Sequence, residues 1–184
     1  METIETDIEG LIILKPTLHY DKRGYFMESF QKHFINEKFP EFNFIQENES
    51  SSSFGVLRGL HFQKPPYSQA KIIRVIEGEV LDVAVDLREK SKTYGKYKSI
   101  ILSAENKKQF FIPRNFAHGF ITLSKKATMI YKVDNDYSPL HESGIIYNDS
   151  CLRIDWILNK NDIILSKRDL KLKSLSELKS EFDE

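Results

Sequence analysis

The chain of 184 residues has one cysteine, no net charge and no long apolar run. Because Cys151 is the single cysteine, no intrachain disulfide can form, and a cytoplasmic location is expected. Basic and acidic side chains each number 27, which argues against broad electrostatic binding to nucleic acid or to a membrane. No segment approaches membrane-spanning length, and the acidic stretch 1–10 lacks the apolar centre of a secretory signal.

Two nucleotide-binding patterns are also missing. The chain has no glycine-rich phosphate loop and no dinucleotide-binding fingerprint, so no nicotinamide cofactor is expected. Aromatic residues, in contrast, are plentiful: 13 Phe and 8 Tyr can fill a β core or form a stacking site. The length suits one domain covering residues 1–184, since no internal boundary, repeat or long linker interrupts it.

Short strands dominate the middle of the chain. From Lys71 onward the apolar residues recur with a period of two, which is typical of half-buried strands. Glu77-Gly-Glu79 predicts a hairpin turn, and the serine run 50–53 predicts a polar loop. Many short strands separated by turn residues predict a mainly β fold, a sandwich or barrel of the jelly-roll type.

The tail has a different pattern. Residues 166–182 place Leu170, Leu175, Leu178 and Phe182 among lysine, serine and glutamate, which predicts a moderately amphipathic helix packed on the outside of the sheets. Its start, Ser166-Lys-Arg-Asp169, resembles a capping box, in which an acidic side chain is also favoured by the helix dipole. On this pattern alone Asp169 is a helix-start residue.

The segment Gly55-Val-Leu-Arg-Gly-Leu-His-Phe-Gln63 is the most informative in the chain. It places Arg58, His61 and Gln63 in a strand-like apolar stretch, with Lys71 shortly after it. Polar side chains are costly to bury in a half-buried strand unless they are paired, so this group predicts a lined pocket. His61 and Gln63 share one face of the strand. A second segment, 110–120, embeds His118 among aromatic residues and strengthens this interpretation.

A metal centre is not predicted here. Cupin jelly rolls usually hold a metal through a His-x-His pair, a nearby glutamate and a later histidine, whereas Gln63 stands in the place of the second histidine. Lys71 follows where a ligand is needed, and its ammonium group repels a cation. Two imidazoles without an adjacent carboxylate make a poor site for a divalent ion.

Proton abstraction next to a carbonyl fits the same residues better. A histidine titrates near neutral pH and can act as the base, so His61 is the candidate. Lys71 can stabilise an enolate oxygen through its positive charge. Tyr131, on a predicted strand at 128–133, could return a proton, although a tyrosine at such a position is more often a core residue.

Polar residues beside the early aromatic strands could bind a phosphorylated ligand. Arg23, Glu28 and the segment 46–48 could, together with Arg58, hold a diphosphate and a nucleobase. Taken singly, each of them is equally consistent with a surface loop.

The motifs together resemble the nucleotide-sugar 3,5-epimerases of deoxysugar synthesis, the dTDP-4-dehydrorhamnose 3,5-epimerase family. The resemblance runs from about residue 12 to about residue 169. The matching segments are Asp21-Lys-Arg-Gly-Tyr-Phe-Met-Glu-Ser-Phe30, Gly55–Gln63, Gln69-Ala-Lys71, Asp82-Val-Ala-Val-Asp-Leu-Arg88, Pro113-Arg-Asn-Phe-Ala-His-Gly-Phe120, Tyr131-Lys132 with Tyr137-Ser-Pro139, and Leu165-Ser-Lys-Arg-Asp169. Each segment alone is weak, but all of them in order are specific to the family.

This resemblance implies a cupin-type jelly roll that forms a homodimer, in which the N-terminal region of one subunit completes the site of its neighbour. It implies no metal and no cofactor. It makes His61 the base, Asp169 its orienting partner, Lys71 the enolate stabiliser and Tyr131 the acid on the other face. The implied substrate is a dTDP-linked nucleotide sugar, contacted by Arg23, Glu28, Gln46, Glu47, Asn48, Arg58, Lys71, His118, Glu142 and Arg168.

Some positions depart from the family pattern. His19 stands where a phenylalanine is usual, near the expected nucleobase site, and Glu47 replaces an aspartate. Arg114-Asn115 replaces the common Glu-Gly, and Arg168 replaces a lysine. The expected reaction is inversion of C3 and C5 in a 4-keto-6-deoxyhexose. The alternatives are a single-position epimerase on another nucleotide sugar, a 3,4-ketoisomerase and a non-catalytic sugar-binding cupin.

Overall fold

Two facing antiparallel sheets form the body of the protein in the computed structural model, which describes residues 1–182 and the side chains of residues 1–178. Within that range the helices are α1 (Lys32–Lys38) and α2 (Leu175–Phe182). The strands are β1 (Glu2–Glu5), β2 (Ile12–Lys15), β3 (His19–Asp21), β4 (Gly24–Phe26), β5 (Gln46–Ser53), β6 (Leu57–Gln63), β7 (Lys71–Glu77), β8 (Glu79–Asp86), β9 (Tyr97–Ser103), β10 (Gln109–Ile112), β11 (Phe116–Thr122), β12 (Lys126–Val133) and β13 (Glu142–Gly144).

The strand order is that of a jelly roll. One sheet has six strands in the order β1-β2-β10-β7-β12-β5, and the other has five in the order β13-β6-β11-β8-β9. Strands β3 and β4 form a separate hairpin. The predicted mainly β, cupin-type jelly roll is therefore confirmed. No helix within residues 1–182 is long and apolar enough to cross a membrane.

The core lies in three apolar layers. The layer between the sheets contains Ile73 and Val75 of β7 together with Phe110 and Phe120. Ile72, which points the other way, joins the layer under α1 on the outside of the six-stranded sheet. The third layer covers the outside of the five-stranded sheet and includes residues of α2. The predicted alternation along β7 thus separates the inner layer from the outer one.

The turn at Gly78 does not form the predicted hairpin. Strand β7 belongs to the six-stranded sheet and β8 to the five-stranded sheet, so the chain crosses between the sheets at this point. Gly78 has a φ of 74°, and a Cβ there would lie 2.0 Å from the carbonyl oxygen of Lys126. The hairpin prediction is wrong because alternation and a turn glycine do not reveal which sheet each strand joins.

The serine run 50–53 is not a loop. It forms the second half of β5, which pairs with β12 from Ser53↔Lys126 to Gln46↔Val133. β5 is the outermost strand of its sheet. Backbone hydrogen bonds suffice to hold such an edge strand, and short polar side chains are tolerated there, so the polar composition led to a wrong prediction.

The C-terminal helix is shorter than predicted. It begins at Leu175, whereas Asp169–Lys171 is a single 3-10 turn. A capping box does occur, but at Ser174 and Glu177, whose side chains each bond the other's backbone N–H. Leu175 and Leu178 are buried as predicted, Leu170 is 54% exposed, and the Phe182 side chain lies outside the described ones.

Candidate active site

A cavity of about 530 Å³ opens between the two sheets and collects most of the candidate residues. His61 comes from β6 and His118 from β11 in the five-stranded sheet, while Lys71 and Tyr131 come from β7 and β12 in the six-stranded sheet. Asp169 enters from the tail. A second pocket of about 290 Å³ adjoins it and shares His61, Lys71 and Tyr131. Facing sheets therefore place the histidines and the tyrosine on opposite walls.

His61 and Asp169 form a tight pair, with Nε2 and Oδ1 separated by 2.6 Å. The His61 side chain is 29% exposed and that of Asp169 only 5%. Burial lowers the pKa of His61, and the hydrogen bond and charge of Asp169 oppose that change. The imidazole is therefore largely neutral at neutral pH and can accept a proton, while Asp169 stabilises the imidazolium that results.

The turn that carries Asp169 has its own hydrogen bond. The Asp169 backbone N–H donates to the Ser166 hydroxyl over 3.0 Å, which is the bond that the capping-box pattern predicts. The turn ends after one 3-10 cycle and lies against β6, so the Asp169 carboxylate faces His61 and no α-helix follows it directly. A spacing of 108 residues between the partners could not reveal this contact.

Lys71 is a buried cation in the wall of the cavity. Burial lowers the pKa of Lys71 to about 8, and the carboxylates of Asp82 and Glu142 oppose that change. Below this pH the ammonium group keeps its charge, so it can stabilise an oxygen anion in a weakly hydrated site.

A second histidine–aspartate pair, which sequence reasoning missed, lies beside the first. His118 Nε2 lies 2.9 Å and 3.0 Å from the two carboxylate oxygens of Asp82, whose side chain is fully buried. Asp82 sits on β8, and its pairing with Phe120 places it next to His118. The available signal was an acidic residue between two apolar ones, Leu81 and Val83, because buried carboxylates are rare unless they are paired.

Tyr131 lines both pockets from β12. Burial raises the pKa of Tyr131, with Arg58 acting in the opposite direction, so the phenol stays protonated at neutral pH. A protonated phenol can donate a proton or a hydrogen bond without carrying a charge beforehand. Tyr131 also packs against the inner core layer, so the two interpretations of this residue, core and functional, are compatible.

Polar groups suited to a charged ligand surround this centre. Arg58 lines the larger cavity, and its Nε donates to the Ser52 hydroxyl over 3.1 Å. Gln46 and Asn48 line the smaller pocket and are bonded to each other over 2.7 Å. Glu47, between them, lines neither pocket, because alternation along β5 turns its carboxylate outward to an ion pair with Lys132.

Glu142 and Arg168 join the two pockets. Arg168 lines the larger cavity and Glu142 the smaller one, and their ion pair spans 2.6 Å. Tyr137 donates its phenol to the same carboxylate oxygen over 2.5 Å. Burial would raise the pKa of Glu142, but the hydrogen bonds from Tyr137 and Arg168 hold it below the usual value. The sequence pattern alone gave Tyr137 no role of its own.

Arg23 and Glu28 lie outside both pockets. Arg23 sits at the tip of the β3–β4 hairpin, is 83% exposed and pairs with Asp21. Glu28 is exposed and accepts a hydrogen bond from Gln31 over 2.6 Å. The fold of one chain therefore does not bring these two predicted substrate-binding residues to the pockets that hold the other candidates.

The arrangement of possible metal ligands in residues 1–182 is also informative. Among residues 1–182 no group of three or more His, Cys, Asp or Glu side chains is arranged to hold a metal ion. The nearest approximation is two separate histidine–aspartate pairs that face Lys71 on the opposite sheet, and it supplies too few ligands and a repelling charge.

Comparisons with known proteins agree on one family. The family model for dTDP-4-dehydrorhamnose 3,5-epimerase matches residues 5–177. The epimerase of this name from Methanothermobacter thermautotrophicus is 47% identical over 175 residues, covering 95% of this chain and 94% of that one.

Solved structures show the same likeness. The 3,5-epimerase from Legionella pneumophila in complex with dTDP-4-keto-L-rhamnose has a TM-score of 0.93 and 44% identity, covering 98% of this chain and 95% of that one. A 3'-monoepimerase from Streptomyces bikiniensis in complex with dTDP-quinovose has a TM-score of 0.88 and 30% identity, covering 96% and 89%. This protein belongs to the dTDP-4-dehydrorhamnose 3,5-epimerase family.

Proposed function

We propose that the protein inverts C3 and C5 of dTDP-4-dehydro-6-deoxy-glucose and so produces dTDP-4-dehydro-rhamnose. The observation that carries the proposal is the His61–Asp169 pair, at 2.6 Å, in a cavity that also presents Lys71 and Tyr131. A neutral base, a cation and a protonated acid together meet the needs of epimerisation next to a ketone. Membership of the family supplies the substrate class.

In the proposed reaction His61 removes the proton from C5 or C3, and the electrons move into the C4 carbonyl to form an enolate. Lys71 stabilises the enolate oxygen by its charge. Tyr131, from the opposite sheet, delivers a proton to the other face of the same carbon. His61 then loses its proton to solvent and Tyr131 regains one from solvent, which returns both groups to their starting states. Asp169 holds the imidazole in place and stabilises its charged form. The step is repeated at the second carbon.

The remaining candidates fit substrate binding. Arg58 and Arg168 can neutralise a diphosphate, since guanidinium groups match phosphate geometry. His118, held by Asp82, and Glu142 can contact hydroxyl groups of the sugar, while Gln46 and Asn48 offer amide groups to a nucleobase. For Glu47, whose side chain points outward, only a backbone contact is compatible with the observed register.

We further propose that the active form is a homodimer, because two expected contacts are missing from the protomer's own pocket. The β3–β4 hairpin carries Arg23 and exposes aromatic side chains, with Tyr20 73% and Phe26 65% exposed. An exposed aromatic hairpin with a charged tip is suited to enter a neighbouring subunit. No nucleic-acid or membrane partner is proposed, and a cytoplasmic location is proposed from the single cysteine.

Deuterium incorporation tests the reaction. The enzyme is incubated with dTDP-4-keto-6-deoxyglucose in deuterated water, and the product is analysed by NMR. We expect deuterium at both C3 and C5 together with the rhamnose configuration. Incorporation at one carbon only would support a single-position epimerase, whose best support is the likeness to the Streptomyces 3'-monoepimerase. A 3,4-ketoisomerase would move the carbonyl, and a sugar-binding protein would incorporate no deuterium.

Subunit complementation tests the shared site. Arg23→Ala and His61→Asn variants, each expected to be weakly active alone, are mixed under conditions that allow subunits to exchange. If Arg23 serves the neighbouring site, each mixed dimer regains one intact site, so about a quarter of all sites recover at equal mixing. Absence of any recovery despite subunit exchange would show that Arg23 does not act across the interface.

A further inference from the structure

Gln63 is conspicuous because the proposed reaction gives it no role. It stands two residues after His61 on β6, is 6% exposed and lines the smaller pocket. Its side-chain amide does not contact His61, Lys71 or Tyr131 through any hydrogen bond in the described structure. A buried amide must satisfy both its donors and its acceptor, so its partners indicate what it does.

All three partners of the Gln63 amide are backbone groups outside β6. Nε2 donates to the carbonyl oxygens of Tyr67, over 2.8 Å, and of Asp136, over 2.9 Å. Oε1 accepts from the Ser138 N–H over 2.6 Å. Asp136 and Ser138 flank Tyr137, so one side chain bonds the backbone on both sides of this tyrosine.

The Tyr137 side chain is thereby fixed from two directions. Its backbone is held by Gln63, and its phenol donates to Glu142. Glu142 itself is the β-sheet partner of Gln63 in the register of β13 and β6. The residue is nevertheless 52% exposed and lines the smaller pocket beside Gln46 and Asn48. These hydrogen bonds restrict the orientation of the ring without a ligand being present.

We propose that Gln63 is a positioning residue, which acts through Tyr137 by holding its ring at the edge of the smaller pocket for the nucleotide part of the substrate. Pre-ordering the ring removes an entropic cost of binding, so loss of the Gln63 hydrogen bonds weakens affinity. The chemical step is affected little, because Gln63 bonds none of the groups that move protons. The identification of the ligand as a nucleotide rests on the proposed function.

Gln63→Met and Gln63→Glu test the proposal. Methionine keeps the length of the side chain and removes all three hydrogen bonds, while glutamate keeps the acceptor for Ser138 and loses the amide donors. For both variants we expect the Kd for dTDP, measured by calorimetry, and the KM to rise about tenfold, with kcat within about twofold of the parent. A loss confined to kcat would contradict a positioning role for the binding step.

Asn106 supplies a matched control. Its side chain also makes three hydrogen bonds to backbone groups, those of Ser103, Lys108 and Ile101, but it lines neither pocket. Asn106→Leu should lower the melting temperature and leave the Kd for dTDP unchanged. If Gln63→Met weakens dTDP binding no more than Asn106→Leu does, the proposal is overturned. Failure of both Gln63 variants to fold would make Gln63 a folding residue and overturn it as well.

A double-mutant cycle then shows whether Gln63 acts through Tyr137. In a Tyr137→Ala background, Gln63→Met should change the Kd for dTDP no further, whereas simple addition of the two effects would refute the inference.

A crystal structure of Gln63→Met tests the positioning role independently of the proposed reaction. If the parent protein neither binds dTDP nor turns over the sugar, the proposed function fails, yet displacement of segment 136–138 would still support the positioning role and an unmoved segment would reject it.

Discussion

The two histidine–aspartate pairs of the cavity are alike in contact but differ in construction. His118 and Asp82 lie on neighbouring strands of one sheet, and the register of β8 and β11 sets their separation. His61 lies on a strand, but Asp169 reaches it from a 3-10 turn near the end of the described chain. The first pair is therefore part of the sheet, whereas the second depends on how the tail docks.

This difference matters for the roles of the two histidines. The His61 side chain is 29% exposed and that of His118 12%, so His61 is the more accessible to a ligand. Asp82 is held on an interior strand of the sheet and fixes His118 through two short contacts, which suits a binding group. We infer that the pair built with the tail is the one that transfers protons.

Replacing each of the two histidines in turn should give the largest difference in the rate of deuterium exchange. His61→Asn is expected to reduce deuterium exchange by a factor on the order of 10² or more, because it removes the base. His118→Asn should lower exchange about tenfold, mainly through KM, because it removes a binding contact. His33→Asn, at an exposed position on α1, is the control for the substitution itself. A greater loss of exchange in His118→Asn than in His61→Asn would reverse the assigned roles.

Tyr131→Phe should separate two activities that the parent enzyme couples. The variant keeps the ring in the core and removes one hydroxyl, so the fold should change little. His61 can still remove and return a proton on its own face, and exchange should persist while inversion falls by about 10². Both rates are followed in deuterated water by NMR. Inversion as fast as exchange would show that Tyr131 is only a packing residue, and loss of folding would favour its core role.

Substitution of Asp169 should affect kcat, whereas substitution of Asp82 should affect stability. Asp169→Asn is expected to lower kcat about tenfold to a hundredfold, because an amide cannot stabilise the imidazolium, with little effect on unfolding by urea. Asp82→Asn should instead lower the free energy of unfolding by about 1–3 kcal/mol, because the carboxylate is fully buried and hydrogen-bonded. If both substitutions reduce stability equally and leave kcat alone, the contrast between the two pairs does not hold.

The pH profile of kcat/KM should reflect His61 and Lys71. His61 must be neutral to act, and since burial lowers its pKa below the ordinary 6.5, activity should fall only when the pH drops below that value. Lys71 must be charged, so activity should also fall as the pH rises through about 8. In Lys71→Arg, whose guanidinium stays charged, the residual activity should lose the alkaline decline. An unchanged alkaline decline in that variant would assign it to another group.

The smallest effect is expected from chelation. Within residues 1–182 neither histidine–aspartate pair is completed into a set of three metal ligands, and Gln63 replaces a usual ligand of cupin metal sites. Exhaustive treatment with a chelator, followed by assay, should leave turnover unchanged. Loss of activity that is restored by adding back a divalent ion would contradict the metal-free mechanism.

Much of the site follows from local sequence pattern. Alternation along β6 and β7 predicted which side chains share a face, and the structure places His61 and Lys71 in the cavity with Tyr131 and His118. The resemblance to the epimerase family added Asp169, which spacing alone could not have paired with His61. Asp82 was missed, although its position between apolar neighbours was visible, because its partner depends on strand register.

The sequence by itself determined the strand character of the chain, since a period of two in apolar side chains is a local property of the backbone. Only the tertiary structure decided that the Gly78 turn crosses between sheets, that the serines of 50–53 form an edge strand and that the tail turns at Asp169 before α2 begins. It also placed Arg23 and Glu28 away from the cavity. The physical reason is that sheet membership, register and tail docking depend on contacts between distant segments, whose energies no short pattern contains.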